Sequence, residues 1–83
     1  MNQIIRTPKQ LGRTLEGFRK NMGLTQNTLS ARIHLRQATI SAVENAASSA
    51  RLDTLFGILA ALNLEIVIRP RTRGSIKDFE KVF

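Results

Sequence analysis

Residues 25–45 of this 83-residue chain, TQNTLSARIHLRQATISAVEN, carry the strongest indication of its fold. Thr25 is a typical helix N-cap, because its hydroxyl can accept a hydrogen bond from a free backbone N–H of the first turn. Leu24 before it and Leu29 at the fourth helical position make a hydrophobic staple. We therefore predict a helix that ends near Ile33 and is followed by a short connection over residues 34–36.

A further short helix is predicted over residues 37–45, with Ile40 and Val43 pointing inward. Its outer face is small and polar, formed by Gln37, Ala38, Thr39, Ser41 and Ala42. Because an ordinary solvent-facing helix usually carries Lys or Glu there, we expect something to come close to this face. Two short helices joined by a tight turn, the second with such a face, predict a helix-turn-helix.

The flanking sequence adds two more helices. Thr7 and Pro8 begin the first one, and Gly23 ends it in a left-handed conformation. Its apolar stripe consists of Leu11, Leu15, Phe18 and Met22. The last helix is predicted over residues 52–62, with Asn63 at its end and this apolar stripe: Leu52, Leu55, Phe56, Leu59 and Leu62. Ser48 or Ser49 is its expected cap. Gly57 costs about 1 kcal/mol in a helix interior, so we expect close packing there.

Residues 64–69 are typical of a β-strand, because β-branched residues partly alternate and Pro70 stops the pattern. A lone strand leaves its backbone polar groups unpaired. It therefore needs a partner, which is either residues 3–6 of the same chain or a second copy.

The net charge of +7 is uneven along the chain. Residues 1–43 carry +6, residues 44–68 carry −2 and residues 69–83 carry +3. This distribution favours a nucleic acid as partner, and an anionic membrane less, because no helix sets a wide basic face against a bulky apolar one.

The composition excludes several classes of protein. The chain has no cysteine and a single histidine, so we predict no disulfide, no metal site and no cofactor. The longest apolar run is far shorter than the roughly 20 residues of a membrane span, and the N-terminus lacks a signal-peptide pattern. Ser30, Ser41, His34 and Glu44 are residue types of a hydrolase, but a catalytic serine needs a formed pocket. We therefore predict no enzymatic activity.

Several motifs together resemble the Cro/phage-repressor (XRE) class of DNA-binding domains. They are Gly23-Leu24-Thr25-Gln26, Leu29-Ser30, Ala38-Thr39-Ile40-Ser41 and Glu44-Asn45, followed by the helix over residues 55–62. The run 36–41, the Gly-free loop after Asn45 and the strand after the last helix are similar to HipB-type antitoxins. His34 replaces the usual glycine of the turn, so we expect a positive φ there or a slightly different turn.

The resemblance implies a mostly α, four-to-five-helix Cro/repressor-like domain over residues 8–63, with an N-terminal arm over 1–7. Residues 64–69 would be a dimerisation strand that pairs across a two-fold dimer through Leu64, Ile66, Val67 and Ile68. It also implies a structural ion pair between Arg19 and Glu44.

The function implied is that of a cytoplasmic, nucleoid-associated bacterial repressor. It would bind a palindromic double-stranded operator as a homodimer and autorepress the operon of a HipA-type Ser/Thr kinase toxin. Gln37 is the first choice for base contact, because a Gln amide can bond adenine N6 and N7 together. The other expected base contacts are Ala38, Thr39, Ser41 and Arg36. Expected phosphate contacts are Thr25, Gln26, Asn27, Ser30 and Arg32.

The basic and aromatic tail, residues 70–83, is expected to bind the toxin. Ser75 begins a capping-box-like turn, and the apolar anchors follow at helical spacing: Ile76, Phe79 and Phe83. Packing of the tail on its own domain, or disorder, is the alternative. The whole chain has three alternatives: an XRE repressor, an antitoxin of another toxin such as an mRNA nuclease, or a protein-interaction module without DNA binding.

Overall fold

The computed structural model describes residues 3–47 and 49–71. Within this part of the chain the fold is mostly helical, as predicted. The four α-helices are α1 Pro8–Asn21, α2 Gln26–Arg32, α3 Gln37–Glu44 and α4 Leu52–Ala61. The last three end one residue earlier than expected, because Ile33, Asn45 and Leu62 are their C-caps.

Two of the helices begin at hydroxyl caps. Thr7 accepts a hydrogen bond from the backbone N–H of Gln10 at 3.1 Å, and Thr25 accepts one from that of Thr28 at 3.0 Å. Each cap satisfies a donor that the first helical turn would leave free. The start of α2 is therefore fixed locally.

The prediction that a serine caps α4 is wrong for Ser49. The other candidate, Ser48, lies outside the described residues. The N-cap is Arg51, which makes no side-chain cap bond. Its guanidinium instead donates to both carboxylate oxygens of Asp53 at 3.1 Å. These bonds, with a further one from the backbone N–H of Thr54, hold the pKa of Asp53 below its ordinary value. The carboxylate lies in the first turn of α4, where a negative charge complements the helix dipole.

The core lies where α3 meets both α1 and α2. Leu29 and Ile40 are completely buried at this junction. The other buried apolar side chains are Leu15, Leu24, Val43, Ile58, Leu59 and Leu62. The staple pair, Leu24 and Leu29, thus belongs to the core itself.

The apolar stripe predicted for α4 is partly wrong. Ile58 is 2% exposed and belongs to the core, whereas Leu52 is 72% exposed and Phe56 is 53% exposed. Almost every residue of this short helix is apolar, so its sequence pattern does not distinguish the inner face from the outer one.

Turn residues with positive φ separate the elements. Gly23 has φ 71° after α1, and Asn63 has φ 59° after α4. His34 has φ 56°, so the expectation of a positive φ at this position is confirmed. The next residue, Leu35, donates its backbone N–H to the carbonyl of Ser30 at 3.0 Å, which closes the turn between α2 and α3.

Close packing against a glycine occurs in α1 and not in α4. A Cβ placed on Gly57 would meet nothing within 4 Å, so the expected close packing there is wrong. A Cβ on Gly12 would overlap the backbone carbonyls of Val43 and Glu44. Gly12 therefore lets α1 approach the C-terminal end of α3.

Neither residues 3–6 nor residues 64–71 form a strand in the part of the chain that the structure describes. Pairing of these two segments within one chain is thus not observed. Leu64 donates its backbone N–H to the carbonyl of Leu59 at 2.8 Å, and beyond it Val67 and Ile68 are exposed. The tail anchors Ile76, Phe79 and Phe83 lie outside the described residues. No described helix is long and apolar enough to cross a membrane.

Candidate nucleic-acid interface

The exposed and half-buried residues at the start of α3 form a surface, which we call the reading face. Arg36, Gln37 and Ala38 are exposed, and Thr39 and Ser41 are half-buried. The opposite side of the helix holds Ile40 and Val43 in the core. All five residues predicted to contact bases are therefore at least partly exposed, four of them on α3 and Arg36 as its N-cap. Contacts with two other helices fix the orientation of α3.

The beginning of α2 lies beside the reading face. A shallow open depression is lined by Gln26, Asn27 and Gln37, together with the end of α1 at Arg19 and Lys20. Thr25 is exposed at the same end of α2, where backbone N–H groups and the positive end of the helix dipole favour an anion.

Two of the predicted phosphate contacts, Ser30 and Arg32, do not lie at the exposed start of α2. Ser30 is 6% exposed, and its hydroxyl donates to the backbone carbonyl of Asn27 at 2.8 Å. Its hydrogen bond is thus made within α2 itself. Arg32 is exposed, but it lies at the C-terminal end of α2, opposite the end that Gln26 begins.

A buried ion pair connects α1 to α3 beneath this surface. Arg19 Nε donates to Glu44 Oε2 at 2.6 Å, and Arg19 Nη2 donates to Glu44 Oε1 at 3.0 Å. Arg19 Nη1 also donates to the carbonyl of Leu24 at 2.8 Å. Both residues are 6% exposed, and the hydrogen bond to Glu44 raises the pKa of Arg19 above its ordinary value. The bidentate geometry fixes the relative position of the two helices.

The ion pair is hydrogen-bonded outward to the reading face. Gln26 Nε2 donates to Glu44 Oε1 at 2.9 Å. Gln37 Nε2 in turn donates to Gln26 Oε1. We call the chain Glu44–Gln26–Gln37 the amide relay.

Sequence reasoning treated Gln26 and Gln37 as separate contacts and missed the relay. The available signal was their equivalent placement, since each is the first residue of its helix. Helix starts that flank a tight turn can bring such side chains together.

A helix-turn-helix family model matches residues 9–68. The chain therefore belongs to the helix-turn-helix family, in the XRE class that its motifs resemble.

More particular similarities are to HipB antitoxins. The chain is 38% identical over 79 residues to Antitoxin HipB of Escherichia coli (strain K12). This match covers 95% of this chain and 90% of that protein. It is 38% identical over 66 residues to Antitoxin HipB of Escherichia coli O6:H1 (strain CFT073), covering 80% and 70%.

Solved structures are also similar. One is described as "HipB-O4 20mer complex" and another as "Structure of HipA-HipB-O2-O3 complex". Each is 35% identical in sequence with a TM-score of 0.79, and each match covers 86% of this chain and 100% of the other.

Proposed function

We propose that this chain is a sequence-specific DNA-binding repressor and the antitoxin of a HipA-type Ser/Thr kinase, and that it autorepresses its own operon. The observation that carries the proposal is the reading face of α3, which projects small polar side chains from a helix held on two sides. Its similarity to HipB antitoxins and to a HipB-20mer complex supports the same conclusion.

In the proposed complex α3 lies in the major groove with its N-terminal half toward the bases. Gln37 bonds an adenine, Ala38 contacts a thymine methyl, and Thr39, Ser41 and Arg36 reach neighbouring groups. The first turn of α2, from Thr25 to Asn27, rests on the phosphate backbone.

Charge and selectivity are separated on this surface. The outward side chains of α3 itself are uncharged, whereas its N-cap Arg36 and Lys20, which lines the neighbouring depression, are exposed cations. The cations would attract the DNA backbone without regard to sequence, and the uncharged side chains would select the bases.

A homodimer is proposed from the apolar side chains that one protomer leaves exposed. Leu52 and Phe56 project from α4, and the segment after it exposes Ile66, Val67 and Ile68. Strand pairing across a two-fold axis would satisfy the backbone of residues 64–69 and cover these side chains. Two such reading faces would recognise half-sites about 34 Å apart in a palindromic operator.

We propose binding, without catalysis, as the mode of action. Glu44 is engaged by Arg19 and Gln26, Ser30 donates within α2, and the hydroxyl of Ser41 accepts from Asn45 at 3.2 Å. Such a repressor would act in the bacterial cytoplasm, on the nucleoid.

The DNA-binding proposal is tested with fluorescence-labelled DNA from upstream of the chain's own gene. The Gln37→Ala variant should lose about 5- to 150-fold in discrimination at one base pair of each half-site, the value of one bidentate contact. Asn21→Ala, an exposed residue at the end of α1, is the matched control and should bind like the wild type. Equal discrimination by all three proteins would contradict the assigned role of Gln37.

The partner proposal is tested by co-purification with the HipA-type kinase encoded beside it. The full chain should retain the kinase, and a chain ending at Gly74 should retain much less, because it lacks Ile76, Phe79 and Phe83. Normal capture by the shortened chain would remove the tail from the interface. No capture by the full chain would contradict the kinase as partner.

A further inference from the structure

We propose that Lys9 and Arg13, two exposed cations on α1, bind carboxylates on the surface of the HipA-type kinase and take no part in gripping the DNA. The inference rests on the proposed function, because it takes that kinase as the protein partner. It deepens that function by assigning a part of the kinase interface to the helical domain, in addition to the tail.

One exposed side of α1 carries three cations, which we call the basic stripe: Lys9, Arg13 and Lys20. Their spacings of four and seven residues bring them within about 40° of one another around a helix of 3.6 residues per turn. The buried side of α1, which includes Leu15, is turned away from them. The basic stripe is therefore a surface that the packing of α1 on the core leaves uncovered.

The charges at the two ends of the basic stripe are balanced differently. Lys20 Nζ lies 3.4 Å from the carboxylate oxygen Oε2 of Glu16, which is the only acidic residue of α1. Lys9 and Arg13 form no ion pair with any described residue. Like charges four residues apart repel each other, and a cation in the first turn of a helix opposes the helix dipole. Anions supplied by a partner would relieve both effects.

The basic stripe leads away from the reading face. Lys20 lines the depression beside Gln37. Arg13 and Lys9 follow about 10 and 16 Å farther along α1, at a rise of 1.5 Å per residue. Gly12, next to Arg13, lies against the backbone at the C-terminal end of α3. The proposed complex directs the opposite end of α3 toward the bases, so Lys9 and Arg13 lie on the side that recedes from the DNA.

An acidic protein surface has the chemistry that fits these two side chains. The guanidinium of Arg13 can hold a carboxylate through two parallel N–H bonds, whereas Lys9 provides a compact point charge. Exposed charges at the edge of an interface act mainly by steering the encounter of the two proteins. We therefore expect the basic stripe to govern the rate of association with the kinase more than the lifetime of the complex.

The double variant Lys9→Gln/Arg13→Gln removes both charges and keeps residue types that suit a helix. Arg32→Gln is the control, because Arg32 is an exposed cation on a different helix. Thermal unfolding of the full chains establishes that each variant folds. Surface plasmon resonance then measures the association rate with the kinase at low and at high salt.

The double variant should associate with the kinase roughly tenfold more slowly at low salt, and high salt should remove the difference by screening the charges. Arg32→Gln should associate like the wild type. Glu16→Gln, which removes a negative charge beside the basic stripe, should associate faster. An unchanged rate in the double variant would overturn the inference and leave the kinase as partner. A wild type that binds no kinase would overturn both.

The salt dependence of operator binding tests whether the same two cations contact DNA instead. Each cation that neutralises a phosphate adds about 0.9 to the slope of log affinity against log salt. The double variant should keep the slope of the wild type, because its missing charges lie away from the DNA backbone. A slope reduced by about 1.8 for each protomer would overturn the inference, because it would assign Lys9 and Arg13 to phosphates.

Discussion

The carboxylate of Glu44 accepts hydrogen bonds from α1 and α2 although it belongs to α3 itself. It therefore joins all three helices of the DNA-binding unit at one buried point. The exposed pair between Lys20 and Glu16, at 3.4 Å, offers a contrast, because the Lys20 side chain is 65% exposed. Solvent and salt screen a surface pair, whereas a buried charge that loses its partner stays without compensation.

Arg19→Met is accordingly expected to lower the free energy of unfolding by about 3–5 kcal/mol, because Glu44 keeps only its bond from Gln26. Lys20→Met, the control, should change it by no more than about 0.5 kcal/mol. Urea unfolding followed by circular dichroism measures both. Comparable losses from the two variants would show that the buried pair has no special structural role.

His34 shows a different residue-scale effect, since it holds φ 56° without the freedom of glycine. His34→Gly should raise the free energy of unfolding by about 0.5–1 kcal/mol, because relief of the left-handed conformation outweighs the added freedom of the unfolded chain. Gly23→Ala, at φ 71°, should lower it by about 1 kcal/mol. Thermal unfolding provides the comparison, and a loss of stability in His34→Gly would contradict the reasoning.

At the scale of elements, α1 and α3 come into close backbone contact where Gly12 faces the carbonyls of Val43 and Glu44. The apolar stripe predicts α1 and its orientation. It does not identify Gly12 as a contact point, because hydrophobic periodicity detects apolar side chains and a glycine has none. The caps at Thr7 and Thr25 were predictable for the opposite reason, since they act within one turn. Leu52 and Phe56 were predicted to face the core but are exposed. Hydrophobic periodicity cannot identify the buried side of a helix that is apolar almost all round.

Two glycine variants in α1 test this contact. Gly12→Ala should lower the free energy of unfolding by about 1–3 kcal/mol, because its Cβ would enter space that backbone atoms occupy. Gly17→Ala, in the same helix with nothing within 4 Å of its Cβ, should raise it by up to about 1 kcal/mol. Equal effects in urea unfolding would show that α1 can move away from α3 at little cost.

At the scale of the whole molecule, one protomer exposes apolar side chains on α4 and in the segment after it. Phe56→Asp and Ile68→Asp should shift the proposed dimer to monomers in analytical ultracentrifugation, because each would bury a charge in the interface. Met22→Asp is the control, since Met22 is also exposed (45%) but lies at the end of α1. Unchanged sedimentation of the first two variants would place the dimer interface elsewhere.

The net charge of +7 also acts at this scale. Operator affinity should fall steeply as salt rises, by about 1,000-fold or more between 50 and 200 mM if the dimer contacts six or more phosphates. The Gln37→Ala variant should keep the same slope, because Gln37 releases no counterion. A salt-independent affinity would contradict phosphate contacts as its main source.

From the amino-acid sequence alone we could predict the positions of the four helices, the caps of α1 and α2, and the small polar face of α3. Each of these depends on residues within a turn or two of one another, so their physics is contained in local spacing. The packed fold was needed to show that Gln26 joins Gln37 to Glu44, that Gly12 lies against the backbone of α3, and which side of α4 stays uncovered. These features depend on distances between separate helices, which the packing of the core around Leu29 and Ile40 sets.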